Sequence, residues 1–283
     1  MYPYELIENS GIDLYIVFIV VGVISAFLTL RLLSDVVKLR SKLFNFLLLT
    51  TIVAIVLGWL SAMLFQAFYN FLASGTFEFK GQTFNGGLIG GALVFFGFYF
   101  LAGHFFFKEK EHIKNFDKIL TIAMPAIVGA HAFGRIGCLM DGCCYGAITD
   151  AWYGIEMYSG GVFAKRVPTQ LFESLFLFAL YALLDFLIIK KNYQNTPTIY
   201  LVSYSIWRFL IEYVRADSER GSSGIEGLSP SQVTAIVLFI VGVAWYFLYE
   251  YKFKAVFDKM HQGEPAEEKN APEGAEAVTD EKK

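Results

Sequence analysis

Arg135 places a fixed positive charge at the end of a long apolar run, within His131-Ala-Phe-Gly-Arg-Ile-Gly-Cys-Leu-Met-Asp-Gly-Cys-Cys-Tyr-Gly146. A charge at bilayer depth is costly, so it is rare there and marks a functional site by default. His131 and Arg135 are four residues apart and share a helix face. Gly134 and Gly137 remove side-chain bulk beside them, which lets a backbone or a lipid headgroup approach. The stretch reads as an anion site where a helix meets its outer loop. The alternative is an arginine that only snorkels to the interface.

A second polar stripe lies at Tyr204, Arg208, Glu212 and Arg215, spaced four, four and three, which puts all four on one helix face. Arg208 and Glu212 can pair there, and such a pair also serves to glue helices together. The functional reading is that the stripe faces Arg135 across a cavity and that Arg135 and Arg208 hold a phosphate by bidentate hydrogen bonds. Two further blocks open helices on the same side. Asn85-Gly86-Gly87-Leu88-Ile89-Gly90-Gly91 suits close helix packing or backbone N–H groups turned to an anion. Pro168 marks a helix start. Behind it, Gln170 and Glu173 are three apart and can face the cavity, although Glu173 also suits a first-turn cap.

Cys138, Cys143 and Cys144 are all the cysteines of the chain. Small packing residues, or a disulfide from Cys138 to one of the other two, are the preferred readings. A zinc site needs another ligand, with His131 nearest in sequence. A thiolate beside Arg135 would be reactive.

These residues need elements to carry them. Hydrophobic residues make up 55% of the 283 and charged residues 17%; mean hydropathy is +0.49. Soluble domains carry about 25% charged residues. The apolar residues form runs long enough to cross a hydrocarbon core of about 30 Å. A net charge of −3 gives no reason to expect nucleic acid as a partner. The expected fold is an all-α integral membrane domain with seven helices near 13–33, 43–72, 85–107, 118–137, 169–189, 198–214 and 231–250. Lys and Arg gather in alternate connections: Arg31, Lys38, Arg40 and Lys42; Lys108, Lys110, Lys114 and Lys118; Lys190 and Lys191; Lys252, Lys254 and Lys259. The positive-inside rule makes these cytoplasmic, with the amino terminus outside and the carboxyl terminus inside. Residues 1–12 form an outer amino-terminal segment, 13–250 the membrane domain with an outer loop at 138–168, and 251–283 a cytoplasmic tail expected to be disordered.

Taken together, the blocks resemble the prolipoprotein diacylglyceryl transferases, whose signature has the form Gly-Arg-x-Gly-Asn-x-x-Asn-x-Glu-x-x-Gly. Gly134, Arg135, Gly137 and Gly146 match it. Asn85 to Gly90 is similar to the family's His-Gly-Gly-Leu-Ile-Gly. Pro168 to Glu173 is similar to its Pro-Ser/Thr-Gln-Leu-Tyr-Glu. Tyr204, Arg208, Glu212 and Arg215 match its Tyr-x3-Arg-x3-Glu-x2-Arg stripe, with Asp217 where the family often has Pro-Asp. The likeness spans roughly 13–250. It departs where Asn85 replaces a histidine, Cys138 an asparagine and Cys143 a glutamate, and where Val21 precedes Gly22 without the first-helix tyrosine.

The resemblance implies a multi-pass protein of the bacterial plasma (inner) membrane that works toward the outer face. Its reaction would move diacylglyceryl from phosphatidylglycerol to the lipobox cysteine of secreted precursors, a step in lipoprotein biosynthesis. Arg135, Arg208, Glu212, Tyr204 and His131 would do the chemistry. Asn85, Gly86, Gly87, Gly137, Gly146, Gln170, Glu173 and Arg215 would join Arg135 in binding phosphatidylglycerol. The partners would be that lipid, precursor signal peptides and bulk membrane lipids; no cofactor and no metal are expected. Three other readings stay open: a same-fold transferase with another acceptor, a non-enzymatic lipid or lipopeptide binder, and a thiol-redox membrane protein.

Overall fold

The computed structural model describes residues 13–159, 161–216 and 225–262. It contains helices α1 (Leu14–Val36), α2 (Ser41–Ser74), α3 (Phe84–Phe106), the short α4 (Glu111–Lys114), α5 (Phe116–Asp141), α6 (Thr169–Lys191), α7 (Thr196–Ile211), α8 (Pro230–Leu248) and α9 (Lys254–Gln262). A hairpin of β1 (Ile155–Ser159) and β2 (Val162–Arg166) lies between α5 and α6. Among the described residues, six helical segments are long and apolar enough to cross a membrane. Large apolar side chains cover their outer surfaces, among them Leu32, Leu93, Leu101 and Phe105, as a lipid-facing surface requires. The protein is a mostly helical membrane protein. Each of the seven expected helices is found within a few residues of its expected bounds, but α7 has only 16 residues, about 24 Å at the usual helical rise.

Local chemistry sets the helix ends. The Asp13 carboxylate accepts from Ile16 N at 2.9 Å and caps α1. Ser229 and Gln232 form a capping box at α8, with Pro230 in its first turn. Gly142 closes α5 at φ 80°, a left-handed conformation that glycine adopts without strain. In chain order, α1 packs along α5, α2 pairs with α3, α5 with α6, and α7 with α8.

Two apolar clusters hold these pairs. One gathers Leu30, Leu33, Leu43, Phe46, Leu47, Tyr99, Phe107, Ile119 and Ile122. There Tyr99 is fully buried and donates to the His112 carbonyl at 2.5 Å, which fastens the α2–α3 hairpin to the turn before α5. The other cluster joins Val128 and Ala132 of α5 to Leu177, Leu180 and Leu184 of α6, with Tyr200 and Tyr204 of α7 against it.

The all-α membrane reading fits this mostly helical fold, and two features add to it. A small hairpin joins the helices. Ile155 pairs with Arg166 and Ser159 with Val162 in an antiparallel ladder, and the loop strands continue into bridges from Gly146 to Arg215 and from Ile148 to Arg166. Beyond α8 the helix continues through Tyr249–Phe253 into α9. That extension docks: His261 Nε2 lies 3.9 Å from Asp117 Oδ1, and Tyr249 OH donates to Gln194 Oε1 at 3.3 Å. Residues 263–283 and the amino-terminal segment 1–12 lie outside the described residues, as do Asp217 and its neighbours to residue 224.

The α2–α3 contact depends on glycine. A Cβ on Gly58 would stand 3.0 Å from Gly91 Cα and 3.2 Å from the Gly87 carbonyl, whereas one on Gly97 would meet nothing within 4 Å. Gly58→Val is therefore expected to cost about 1–3 kcal/mol, the usual range for overpacking. Thermal unfolding in detergent should show a lower midpoint for Gly58→Val and little change for Gly97→Val.

Candidate functional site

Arg135 lies near the end of α5 and turns inward. Its Nη2 is 3.0 Å from Glu173 Oε1, and the two side chains are 15% and 2% exposed. The snorkelling alternative is therefore not the observed geometry. Glu173, in the second turn of α6, serves no cap; its carboxylate also accepts from Tyr204 OH at 2.9 Å and lies 3.9 Å from His131 Nε2. His131 and Tyr204 meet edge to face at 5.0 Å, and Tyr204 stacks on Tyr200. One carboxylate on α6 thus gathers side chains from two other helices, α5 and α7. Burying it is tolerable because it is paired and hydrogen-bonded.

The remainder of the α7 stripe forms an adjoining cluster. Arg208 Nη1 donates to Glu212 Oε2 at 2.8 Å and Nη2 to Ser231 Oγ at 2.6 Å. Arg215 Nε lies 3.9 Å from the same Glu212 oxygen. Arg135 and Arg208 therefore do not share a partner; each has its own carboxylate, and Tyr204 is the stripe member that reaches the Arg135 cluster. The Phe176 and Trp207 rings stack at 4.5 Å, holding α6 to α7 beside both.

The loop after α5 is pinned over these groups. Gln170 Nε2 donates to the Cys143 carbonyl at 2.5 Å and Thr169 Oγ1 to the Cys144 carbonyl at 2.8 Å. Ala147 N donates to the Val214 carbonyl, and Ala216 N to that of Tyr145. Gly146 is needed there, since a Cβ would fall 2.5 Å from the Val167 carbonyl and 2.9 Å from that of Val214. Arg166 lies 4.4 Å over the Tyr145 ring. Gly137 serves packing: its missing side chain leaves room for Tyr15 and Phe18 of α1.

The cysteines are free thiols, and their sulfurs lie within 4.8 Å of one another. The neighbouring Cys138 and Cys143 thiols hold the Cys144 thiol below the usual thiol range; burial opposes this, and the fields of Arg135 and Arg215 add to it.

The glycine block at the start of α3 packs on α2. Gly86 lies against Phe65 and Gly87 against Ala62, both on α2, and Ser61 Oγ donates to the Gly86 carbonyl at 3.0 Å. Asn85 begins the same turn. No hydrogen bond or ion pair joins this turn to the Arg135 cluster among the described residues. Sequence reasoning missed Ser231 as the second partner of Arg208, because a serine in a helix start carries no distinguishing signal. It also missed the β1–β2 hairpin, although Gly160-Gly161 between two short runs is a recognised hairpin signal.

Long apolar helices enclosing a buried guanidinium–carboxylate cluster define a multi-pass membrane protein with a polar site inside its helix bundle. The family described as prolipoprotein diacylglyceryl transferase matches residues 5–248. A relative from Clostridium perfringens, phosphatidylglycerol–prolipoprotein diacylglyceryl transferase 2, is 34% identical over 224 residues, 73% of this chain and 78% of its own length. The similarly named protein of Clostridium tetani is 31% identical over 58% of this chain and 62% of its own. That of Dehalococcoides mccartyi is 28% identical over 64% and 65%. The chain belongs to the prolipoprotein diacylglyceryl transferase family.

Glu173→Ala would leave Arg135 buried without its carboxylate. The expected loss is about 3–5 kcal/mol, the range for removing one partner of a buried pair. Glu173→Gln keeps an acceptor for Tyr204 and should lose less. Chemical denaturation followed by tryptophan fluorescence should rank wild type above Gln and Gln above Ala.

Proposed function

We propose that this protein transfers diacylglyceryl from phosphatidylglycerol to the lipobox cysteine of secreted precursors, in a bacterial plasma membrane and from the outer side. In this reading all seven long helices cross the bilayer, the amino terminus is outside, and the lysine-rich connections and the carboxyl terminus are cytoplasmic.

The observation that carries the proposal is Arg135 itself. It is largely buried and anchored through Nη2 to Glu173, and its Nε is a buried donor with no hydrogen-bond partner among the described residues. Such a donor suits a phosphate oxygen.

The chemistry assigns roles to the neighbours. The incoming thiolate attacks a glyceryl carbon, the carbon–oxygen bond to phosphate breaks, and glycerol phosphate leaves with the electron pair. Arg135 and Arg208 neutralise the charge gathering on the leaving phosphate in a site shielded from water, where fixed charges act strongly. Glu212 keeps Arg208 aimed, Tyr204 reaches a phosphate or glycerol oxygen, and Gln170 and Arg215 complete the headgroup contacts. His131, backed by Glu173, takes the thiol proton.

The test supplies acyl-labelled phosphatidylglycerol and a lipobox peptide to the purified protein. The expected product is a thioether-linked peptide. Arg135→Ala and Arg208→Ala should each lower its rate about 10²–10³-fold, as loss of one electrostatic donor does, and Arg208→Lys should not restore it because a lysine cannot make the two-pronged contact. Absence of product beside an active relative would overturn the proposal; full activity in His131→Ala would remove the base assignment.

A further inference from the structure

The three thiols are the group of side chains that the proposed reaction leaves unused. Cys138 follows Arg135 by one helical turn on α5 and so shares its face. Gly142 then turns the chain at φ 80° and Cys144 adopts φ 60°. These two left-handed residues fold Cys143 and Cys144 back onto Cys138, and the Cys143 thiol points at the Cys138 carbonyl at 3.8 Å. The backbone bearing both loop thiols is held by the buried Gln170 and Thr169 side chains. The loop is therefore fixed from two sides, and all three sulfurs come within 4.8 Å of one another.

That spacing suits a metal better than it suits a disulfide. Two thiolates on a tetrahedral zinc ion, with bonds of about 2.3 Å, stand about 3.8 Å apart, so the trio needs to contract by no more than about 1 Å to bind one. A disulfide needs its sulfurs at about 2.05 Å, would be strained between adjacent residues, and would leave one thiol over. Three sulfur ligands without nitrogen or oxygen donors favour a soft or borderline ion. No fourth His, Cys, Asp or Glu joins the group among the described residues. A tetrahedral ion held by three protein ligands keeps its fourth position for substrate.

We infer that Cys138, Cys143 and Cys144 form a three-thiolate site for a thiophilic d¹⁰ cation of the zinc type, whose fourth position takes the thiol of an incoming peptide. The ion goes beyond the sequence expectation of no metal. Assigning the fourth ligand rests on the proposed transferase reading, because that reaction needs a thiolate beside Arg135. A thiol that coordinates such an ion gives its proton to His131, the base of the proposed reaction, and stays a thiolate at neutral pH.

The test is a titration of the reduced full-length protein in detergent, without oxygen. Zn²⁺ is added against a chromophoric chelator, and Cd²⁺ is followed by its thiolate charge-transfer band in the ultraviolet. One equivalent of each should bind. Cys138→Ser, Cys143→Ser and Cys144→Ser should each weaken binding at least about tenfold, with circular dichroism showing the fold retained. A lipobox peptide should then change the Cd²⁺ band, and its Cys-to-Ser form should not. No band at one equivalent, a band unaffected by all three substitutions, or two thiols blocked to alkylation in an intact mass two hydrogens light would overturn the site. Metal binding with no response to the thiol peptide would overturn the fourth-ligand assignment. The titration needs no turnover, so its failure and failure of the transferase assay are separate results.

Discussion

A guanidinium placed among hydrocarbon side chains requires an anion held at the right place, and Glu173 supplies it to Arg135. Because Glu173 stands on α6, the position of that helix against α5 is set by charge as well as by packing. Ser174 reinforces the register by donating to the Ala132 carbonyl at 3.0 Å, one turn before Arg135. Below this level the α5–α6 contact is apolar, through Val128, Leu177, Leu180 and Leu184. Tyr204 then brings α7 to the same carboxylate. Three helices are registered by one buried acid, and this is why the polar groups converge rather than each seeking the nearest interface.

The bundle divides its work between two kinds of contact. The α2–α3 hairpin uses absence of side chains: Gly58, Gly87 and Gly91 bring two backbones together, where close van der Waals packing replaces the hydrophobic driving force that lipid cannot provide. The α5–α6–α7 group uses charge and hydrogen bonds. The far end of the molecule has its own fastening, in which Thr121 donates to the Gln194 carbonyl at 2.6 Å and Thr196 to the Thr121 carbonyl at 2.8 Å. With α5 and α7 tied there, the stripe on α7 is fixed in rotation, and Tyr204 and Arg208 face inward together.

The sequence was most legible where a single helix carried the pattern. The spacing of Tyr204, Arg208, Glu212 and Arg215 predicted one face; Arg208 meets Glu212 as that spacing requires, whereas Arg215 stands beyond the helix in extended backbone and approaches Glu212 from there. Charge inside an apolar run singled out Arg135 correctly as a buried group. What could not be read was choice among partners on different helices. Glu173 fitted two roles equally in sequence, and only the approach of α5 and α7 decides between them. Ser231 becomes a partner of Arg208 because α8 lies along α7, a relation no local pattern encodes. The glycine block was legible as a packing motif, but which helix it would meet was not. The three cysteines were visible as a group, yet their convergence depends on left-handed backbone at Gly142 and Cys144, and a non-glycine residue in that conformation is uncommon enough to escape sequence reasoning.

The placement of the loop over the site follows from the same economy of partners. Backbone groups cannot remain unpaired near a membrane interior. The loop after α5 resolves this by pairing with the segment after α7, through Ala147 to Val214 and Ala216 to Tyr145, and with β2 through Thr149 to Lys165. Gly146 sits where these segments cross and has no room for a side chain. The loop is thus held by the two elements that also carry Glu173 and Arg208, since β2 leads directly into α6. A displacement of α6 or α7 would move an arginine partner and the loop together, so the charges beneath the loop and the cover above them form one mechanical unit.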